Sequence, residues 1–120
     1  MKYLCLVYFE PQVLTDLSPA DKSALDRDSL DYDDELRRSG HYIDSNALQP
    51  VTTARTVRMR RSRKIVNDGP FAETREHLGG FILIDASNMD EAVEVASKIP
   101  LAKLGSIEVR PTMVVERPEA

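Results

Sequence analysis

Two segments of the chain are apolar at successive positions, which is typical of strands covered on both faces. In Lys2–Phe9, the set Tyr3, Cys5, Val7 and Phe9 alternates with the set Leu4, Leu6 and Tyr8, and both sets are apolar. Phe81–Ile84 shows the same character directly after Gly79 and Gly80. Such strands need partners above and below the sheet.

Two other segments have the periodicity of helices. The first begins at Ser18 and Pro19, with an N-cap residue before a proline, and ends at Gly40. Its middle is so acidic that we expect a highly solvated outer face. The second helix is predicted over Asn88–Lys98, where Asn88 and Glu91 have the spacing of a capping box and Pro100 marks the end.

The remaining apolar segments predict further strands: His41–Leu48, Ala54–Arg61, a short return strand over Lys64–Val66, and Ser106–Val115. The order of elements favours an α+β fold, a ferredoxin-like βαββαβ protomer. Two helices cover one face of such a sheet, so the second apolar face of Lys2–Phe9 needs another cover. The simplest cover is the same face of a second copy, and we therefore predict a homodimer.

Composition fits one compact domain over residues 1–120. Hydrophobic residues make up 42% and charged residues 30%, close to the average for globular proteins. Cys5 is the single cysteine, which excludes an internal disulfide, and we expect an inert buried thiol. The apolar runs are too short for a membrane helix, and no secretory signal is recognisable. We expect a soluble cytoplasmic protein that binds no membrane and needs no cofactor.

Charge is unevenly distributed along the chain. Acidic residues are concentrated between Asp21 and Glu35, whereas the bases are concentrated in Arg55, Arg58, Arg60, Arg61, Arg63 and Lys64. These two stretches are able to face each other within the protein or across an interface. The basic run lacks interleaved aromatic residues and the net charge is −4, so we predict no nucleic-acid binding.

The central segment 68–81, DGPFAETREHLGGF, resembles the signature of the YCII-related superfamily, specifically its DGPF branch. Thr53–Arg58, Met89–Ala92 and Gly105–Pro111 are also similar to segments of that branch. The resemblance implies a ferredoxin-like protomer in a dimeric α+β barrel. It also implies a relation to enzymes that use a His–Asp pair, among them a dehydrochlorinase of chlorinated hydroxyquinol. The His of that pair is expected in or just before the first helix, where this chain has none.

The loop that carries this signature offers Asp68, Glu73, Glu76 and His77 as candidate acid–base residues. The turn chemistry at Asp68, Gly69 and Pro70 leads us to expect the Asp68 carboxylate near the end of a buried strand. Arg58 and Phe71 are candidates for binding a substrate, Arg58 through an anionic group. Purely structural roles stay open for residues of this loop. Aspartates in turns often accept hydrogen bonds from backbone N–H groups, as Asp68 would, and Gly79 and Gly80 would permit a bulge or a close approach of two strands. A metal site made by Glu73, Glu76 and His77 matches no known zinc spacing. His41 is interpreted as a surface or helix-capping residue.

Two functions follow from these observations. The first is lyase-like or isomerase-like acid–base catalysis, without a cofactor, on a small polar organic molecule in a pocket at the loop 68–80. The alternative is a non-enzymatic interaction module, an accessory to the sigma-factor-linked regulation of transcription that the resemblance suggests. A deep pocket favours the first function and a flat contact surface favours the second.

Overall fold

The computed structural model describes residues 1–119. Its strands are β1 (Lys2–Phe9), β2 (Tyr42–Ala47), β3 (Arg55–Arg60), β4 (Arg63–Asp68), β5 (His77–Asp85) and β6 (Ser106–Pro111). Its α-helices are α1 (Pro11–Thr15), α2 (Pro19–Ser39) and α3 (Met89–Ser97), and short 3-10 helices cover Val51–Thr53 and Pro100–Lys103.

Four strands form one antiparallel sheet in the order β2-β5-β1-β6. With α2 between β1 and β2, and α3 between β5 and β6, this is the ferredoxin-like βαββαβ arrangement that the sequence predicts. Strands β3 and β4 are inserted between β2 and β5 and form a separate two-stranded sheet. The fold prediction is therefore confirmed for the protomer.

The core lies between the sheet and the two long helices. Tyr3, Cys5, Ile82 and Ile84 project from β1 and β5 into a cluster completed chiefly by Tyr32 and Leu36 of α2 and by Ala92 and Val95 of α3. The hydrophobic effect explains this arrangement, because the apolar face of the sheet and the apolar faces of α2 and α3 are removed from water when they pack together.

The helix ends are fixed by the predicted capping residues. Ser18 Oγ accepts a hydrogen bond from the Asp21 N–H at 3.1 Å, and Asn88 Oδ1 accepts one from the Glu91 N–H at 2.9 Å. Gly40 follows α2 with φ +81°, the left-handed conformation that favours glycine. These local signals explain why both helix positions were predictable.

The opposite face of the sheet, which we call the open face, is also apolar. Leu4 lies opposite Leu83, Leu6 opposite Phe81, and Tyr8 opposite Leu78. All six side chains are partly exposed, whereas the alternating residues Tyr3, Cys5 and Val7 are buried beneath the helices. The protomer thus has the uncovered second face that the pattern of Lys2–Phe9 indicates.

Several boundaries differ from the sequence prediction. Strand β5 begins at His77 and not at Phe81, because the two glycines are part of the strand: the pairing of β1 with β5 shifts at Gly79, which forms a bulge. Strand β6 ends at Pro111, four residues before the predicted end, and α1 was not predicted. Proline is favoured at the first position of a helix, where Pro11 lies in α1. A helix of five residues is too short to show a recognisable periodicity of apolar residues.

Residues 55–68 form a projecting hairpin that we call the arm. Its turn, at Arg61 and Ser62, has φ of 50° and 62°, as in the type I′ turns that match the twist of hairpin strands. The radius of gyration is 17.0 Å, against about 14 Å for a compact chain of this length. All of β4 is exposed, so the expectation that Asp68 ends a buried strand is wrong.

The structure bears on two features discussed from composition, the environment of Cys5 and the length of the apolar segments. The Cys5 side chain is fully buried, and burial raises the pKa of its thiol to about 11, which fits an inert core residue. Within residues 1–119, no helix combines the length and the apolar content needed to cross a membrane.

Candidate active site

A small cleft opens between α2 and the edge of the sheet formed by β2 and β5. Its volume is about 130 Å³, close to that of cavities that hold a single small ring. The walls are mainly apolar, with a few polar groups. The lining residues include Val7, Ala47, Phe81, Ile99 and Leu101 on the apolar side, Ser29, Asp33, Ser45 and Asn46 on the polar side, and the glycines Gly79 and Gly80.

Asp33 reaches this cleft because of its position on α2. Tyr32 and Leu36 are one helical turn apart and mark the buried stripe of the helix, and Asp33 lies at the edge of that stripe. Ser29 precedes Asp33 by four residues and therefore lies on the same side of the helix. The two side chains line the cleft from one wall.

A chain of hydrogen bonds connects Asp33 with β2. The Tyr42 hydroxyl lies 2.7 Å from Ser45 Oγ, and Ser45 Oγ donates to Asp33 Oδ2 at 3.4 Å. Burial raises the pKa of the Asp33 carboxyl above its ordinary value, although the hydrogen bond from Ser45 and the charge of Arg37 oppose this effect. Catalytic acids and bases are often carboxyls whose proton affinity is raised by burial, which makes Asp33 a candidate for this role.

Gly79 and Gly80 line the cleft, and neighbouring atoms leave no room for a side chain at either position. A Cβ on Gly80 would lie 2.7 Å from the Asn46 carbonyl oxygen, and one on Gly79 would lie 2.1 Å from Cε1 of the Phe9 ring. The prediction that these glycines allow a bulge and a close strand approach is confirmed.

A second, larger groove begins on the other side of Gly79. Its volume is about 400 Å³ and its walls are mainly apolar. Among the described residues that line it, His77 is the titratable one. The others are Phe9, Pro11, Leu14, Thr15, Leu48, Gln49, Pro50, Val51, Thr52, Leu78 and Gly79. Of the four predicted acid–base residues, His77 is thus the one that lines a groove adjoining the cleft.

The other residues of the predicted site lie in separate places. Asp68 is at the base of the arm, with 86% of its side chain exposed, and forms an ion pair with Arg55. The Arg58 guanidinium lies over the Phe71 ring, 5.5 Å from its centre, so the two predicted substrate-binding residues contact each other. This cation–π contact places the cation beside an aromatic face at the base of the arm.

Glu73 and Glu76 flank the loop that leads into β5. Glu73 is exposed, whereas Glu76 is partly buried and accepts a hydrogen bond from Ser106 Oγ at 3.3 Å. Between them, Arg75 forms an ion pair with Glu10 and ties the loop to the end of β1. Within residues 1–119, no three His, Cys, Asp or Glu side chains are grouped so that they would hold a metal ion.

Sequence reasoning missed Asp33 as a site residue. It is one of seven acids between Asp21 and Glu35, and this density indicated a solvated helix face. The one available signal was the four-residue spacing from Ser29 next to the apolar Tyr32 and Leu36. The contact of Asp33 with Ser45 is visible only in the folded structure, where Ser45 Oγ of β2 donates a hydrogen bond to Asp33 Oδ2 of α2.

His41 takes part in a different polar cluster. Its Nδ1 lies 2.7 Å from Ser39 Oγ and its Nε2 lies 3.0 Å from Glu91 Oε1, so the ring bridges the end of α2 and the start of α3. This hydrogen bond lowers the pKa of the Glu91 carboxyl. The interpretation of His41 as a residue near the end of a helix agrees with this position.

The fold and the site define a ferredoxin-like α+β protein with a small cleft beside a bulged central strand. Residues 1–116 match the YCII-related domain, and the chain belongs to that family. It is 37% identical over 113 residues to the uncharacterized protein R00369 of Rhizobium meliloti (strain 1021), with 92% of this chain and 91% of that protein covered. The predicted resemblance to the superfamily is confirmed.

A solved structure shares the fold at much lower sequence identity. It is 5-chloro-2-hydroxyhydroquinone dehydrochlorinase (TftG) from Burkholderia phenoliruptrix AC1100, in complex with 2,5-dihydroxybenzoquinone. The TM-score is 0.53 at 17% identity, and 94% of each chain is covered. At this identity the similarity concerns the fold.

Proposed function

We propose that this protein catalyses a proton-transfer reaction, an elimination or an isomerisation, on a small polar organic molecule bound in the cleft. The observation that carries the proposal is Asp33: a carboxyl with a raised pKa in a mainly apolar cleft of a size suited to one small ring. Raised proton affinity makes a carboxylate a better base near neutral pH.

The arrangement assigns a role to each polar group. Ser45 holds Oδ2 of Asp33, and within residues 1–119 no hydrogen bond reaches Oδ1, which leaves that oxygen for a substrate proton. Tyr42 donates to Ser45 and orients the hydroxyl. Asp33 then removes a proton from an activated C–H or O–H bond and returns it to the product or to water.

The shared fold supports the chemistry in general terms. TftG is by name a dehydrochlorinase, and loss of hydrogen chloride begins or ends with the transfer of a proton. A scaffold that hosts one elimination is compatible with another. The substrate of the present protein is a separate question, because function depends on the site and not on the fold.

The residues predicted from the loop 68–80 enter the proposal unequally. We propose His77 as a second proton carrier in the larger groove, which adjoins the cleft because Gly79 lines both. Asp68 and Glu73 remain predicted catalytic residues, but neither of them lines the cleft or the larger groove. Glu76 contacts Ser106, and Arg58 with Phe71 remains a proposed binding pair for an anionic or aromatic group.

We also propose that the working form is a homodimer in which the open faces of two copies pack together. Six apolar side chains on β1 and β5 line this face, and the helices cover the other side of the sheet. Stable homodimers of this kind bury roughly 2,000 Å² or more in total.

An interaction module is the second candidate function, and the exposed apolar residues of the arm favour it.

Chemical-shift mapping with a panel of small hydroxylated, carbonyl and carboxylate compounds tests the catalytic proposal. We expect a binding compound to shift the amide signals of Asp33, Ser45, Gly79 and Gly80. The Asp33→Asn variant should bind more weakly or with a changed pH dependence, while Asp26→Asn, on an exposed part of the same helix, should bind as the wild type does. Shifts confined to the arm would contradict the catalytic proposal and favour the interaction module.

A further inference from the structure

A third cavity, which we call the helix cavity, lies between the facing sides of α2 and α3. Its volume is about 430 Å³. Each helix contributes residues at spacings of three and four, which places them on one side of that helix. The polar lining residues are Glu35 and Ser39 of α2, His41 directly before β2, Glu91 and Glu94 of α3, and Lys98 directly after α3. Of the described residues, Tyr32 lines both this cavity and the cleft, so the two cavities are neighbouring but distinct.

Ser39, His41 and Glu91 form a continuous series of hydrogen bonds in the helix cavity. Glu91 Oε1 lies 3.0 Å from His41 Nε2, and Ser39 Oγ lies 2.7 Å from His41 Nδ1. The hydrogen bond with His41 lowers the pKa of the Glu91 carboxyl, which is therefore ionised at neutral pH. A carboxylate only accepts hydrogen bonds, so Nε2 of the neutral ring carries the proton and Nδ1 is left as an acceptor. The Ser39 hydroxyl donates to Nδ1, a shorter contact than the 3.1 Å from Ser39 Oγ to the Leu36 carbonyl oxygen.

We propose that the helix cavity is a second, esterase-like site, in which Ser39 is the nucleophile, His41 is the general base and Glu91 positions the His41 ring. A hydroxyl within hydrogen-bond reach of a base that a third group orients is the arrangement of an activated nucleophile. Ser39 is exposed at the end of α2, so a small molecule in the cavity reaches its oxygen.

The reaction proceeds through an acyl-serine. Ser39 Oγ forms a bond to the carbonyl carbon of an ester while its proton passes to Nδ1 of His41. The bond from that carbon to the alcohol oxygen then breaks, and the alcohol leaves with this proton. Water attacks the acyl-serine in the same way, which releases a carboxylic acid and restores the Ser39 hydroxyl.

Charges around the helix cavity select the kind of ester. Three carboxylates line it, those of Glu35, Glu91 and Glu94, against one ammonium group, that of Lys98. An anionic ester is therefore repelled, whereas a neutral or cationic ester is not. The Lys98 ammonium lies at a long 3.9 Å from Glu94 Oε1 and is available to the negative charge that develops on the carbonyl oxygen.

The protein contains a matched serine for comparison. Ser97 ends α3 as Ser39 ends α2, and both residues are exposed. Each hydroxyl also lies near the carbonyl oxygen three residues earlier, at 2.7 Å for Ser97 and 3.1 Å for Ser39. In the part of the chain that the structure describes, no hydrogen bond joins Ser97 to a histidine. A difference in reactivity between the two serines therefore measures the effect of the His41 contact.

Covalent labelling of the full chain with a small uncharged fluorophosphonate, followed by peptide mass spectrometry, tests the nucleophile. In this reaction Ser39 Oγ bonds to phosphorus, fluoride leaves, and His41 takes up the hydroxyl proton. We expect Ser39 to be labelled at least about 100-fold faster than Ser97, and His41→Gln to lower the rate at Ser39 to that at Ser97. Hydrolysis of p-nitrophenyl acetate should fall by a similar factor in Ser39→Ala, and the anionic mono-p-nitrophenyl succinate should react more slowly than the acetate.

Glu91→Gln tests the positioning role separately. We expect labelling of Ser39 to slow at least about tenfold, and ¹⁵N NMR spectra of the His41 ring to change from the Nε2–H tautomer to a mixture of both tautomers. The proposal is overturned if wild-type Ser39 is labelled no faster than Ser97, if the adduct forms on His41 in place of Ser39, or if His41→Gln is labelled at the wild-type rate. The comparison of Ser39 with Ser97 in the wild type decides the matter even where a variant fails to fold.

Discussion

The ring of Phe9 lies over the α-carbon of Gly79, at the bulge where β1 and β5 change register. A Cβ at position 79 would lie 2.1 Å from Cε1 of that ring, far closer than non-bonded carbon atoms approach each other. Phe9 and Gly79 both line the larger groove, and Gly79 also lines the cleft with Asp33. This contact therefore determines the shape of the wall between the two cavities.

Gly79→Ala should displace the Phe9 ring and destabilise the fold by about 1 to 3 kcal/mol, the usual cost of an added methyl group in a packed site. Denaturant unfolding measures this change in the free energy of unfolding. Phe9→Ala removes the clashing ring, so the double variant should lose less stability than the sum of the two single variants. Additive losses would show that the ring does not rest on Gly79.

Asp33→Asn should raise the stability of the protein near pH 7. Burial raises the pKa of this carboxyl in the folded state, so the charged form is less favourable there than in the unfolded chain. The cost is absent below the unfolded pKa of about 4 and develops as the pH rises through the folded pKa. Melting temperatures of the wild type and the variant should therefore converge near pH 3 and diverge near pH 7, whereas the Asp26→Asn variant should show no such gain.

Glu91→Gln should lower the melting temperature near neutral pH and have little effect at acidic pH. The hydrogen bond from His41 and contacts with Ser87 lower the pKa of Glu91 in the folded state. A lowered carboxyl pKa adds stability above the unfolded value of about 4, and this stability is lost as the pH falls through the folded value. An equal loss at pH 3 and pH 7 would show that the carboxylate charge does not matter. Asp90→Asn, in the same helical turn, controls for the helix dipole.

Leu6→Asp should separate the proposed dimer while the protomer stays folded. Leu6 lies opposite Phe81 on the open face, and its side chain is not part of the cluster beneath the helices. A charge at the centre of a buried interface costs several kcal/mol, so we expect an increase in Kd of at least about a hundredfold. Val93→Asp, at a half-exposed position of α3, should leave the assembly unchanged. A dimer that persists in the Leu6→Asp variant would contradict packing through the open face.

Local signals in the sequence were sufficient for most of the fold. Ser18, Gly40 and Asn88 act within one or two helical turns, and the doubled apolar pattern of Lys2–Phe9 depends on the strand alone. The start of β5 was predicted too late because Gly79 and Gly80 indicate a turn locally, whereas the neighbouring Phe9 and Asn46 make them part of the strand. The position of such a residue depends on residues far along the chain, and the local sequence does not predict it.

The candidate site was less predictable for the same reason. Asp68 belongs to the most recognisable segment of the chain, yet it lies exposed at the base of the arm. Asp33 has no distinctive neighbours in the sequence, and its raised pKa arises from burial against elements far along the chain. His77 was predicted from its position in the loop, and its place in the groove depends on the bulge at Gly79.

Deuterium exchange in heavy water is the most direct test of proton transfer by Asp33, because it requires no knowledge of the product. A panel of small hydroxylated and carbonyl compounds with acidic C–H bonds is incubated with the wild type, Asp33→Asn and Asp26→Asn, and incorporation is followed by mass spectrometry. The account predicts accelerated exchange into at least one compound by the wild type and by Asp26→Asn, and a rate lowered about 10²- to 10⁴-fold in Asp33→Asn. Equal rates in the wild type and Asp33→Asn, or no accelerated exchange into any compound that binds in the cleft, would contradict it.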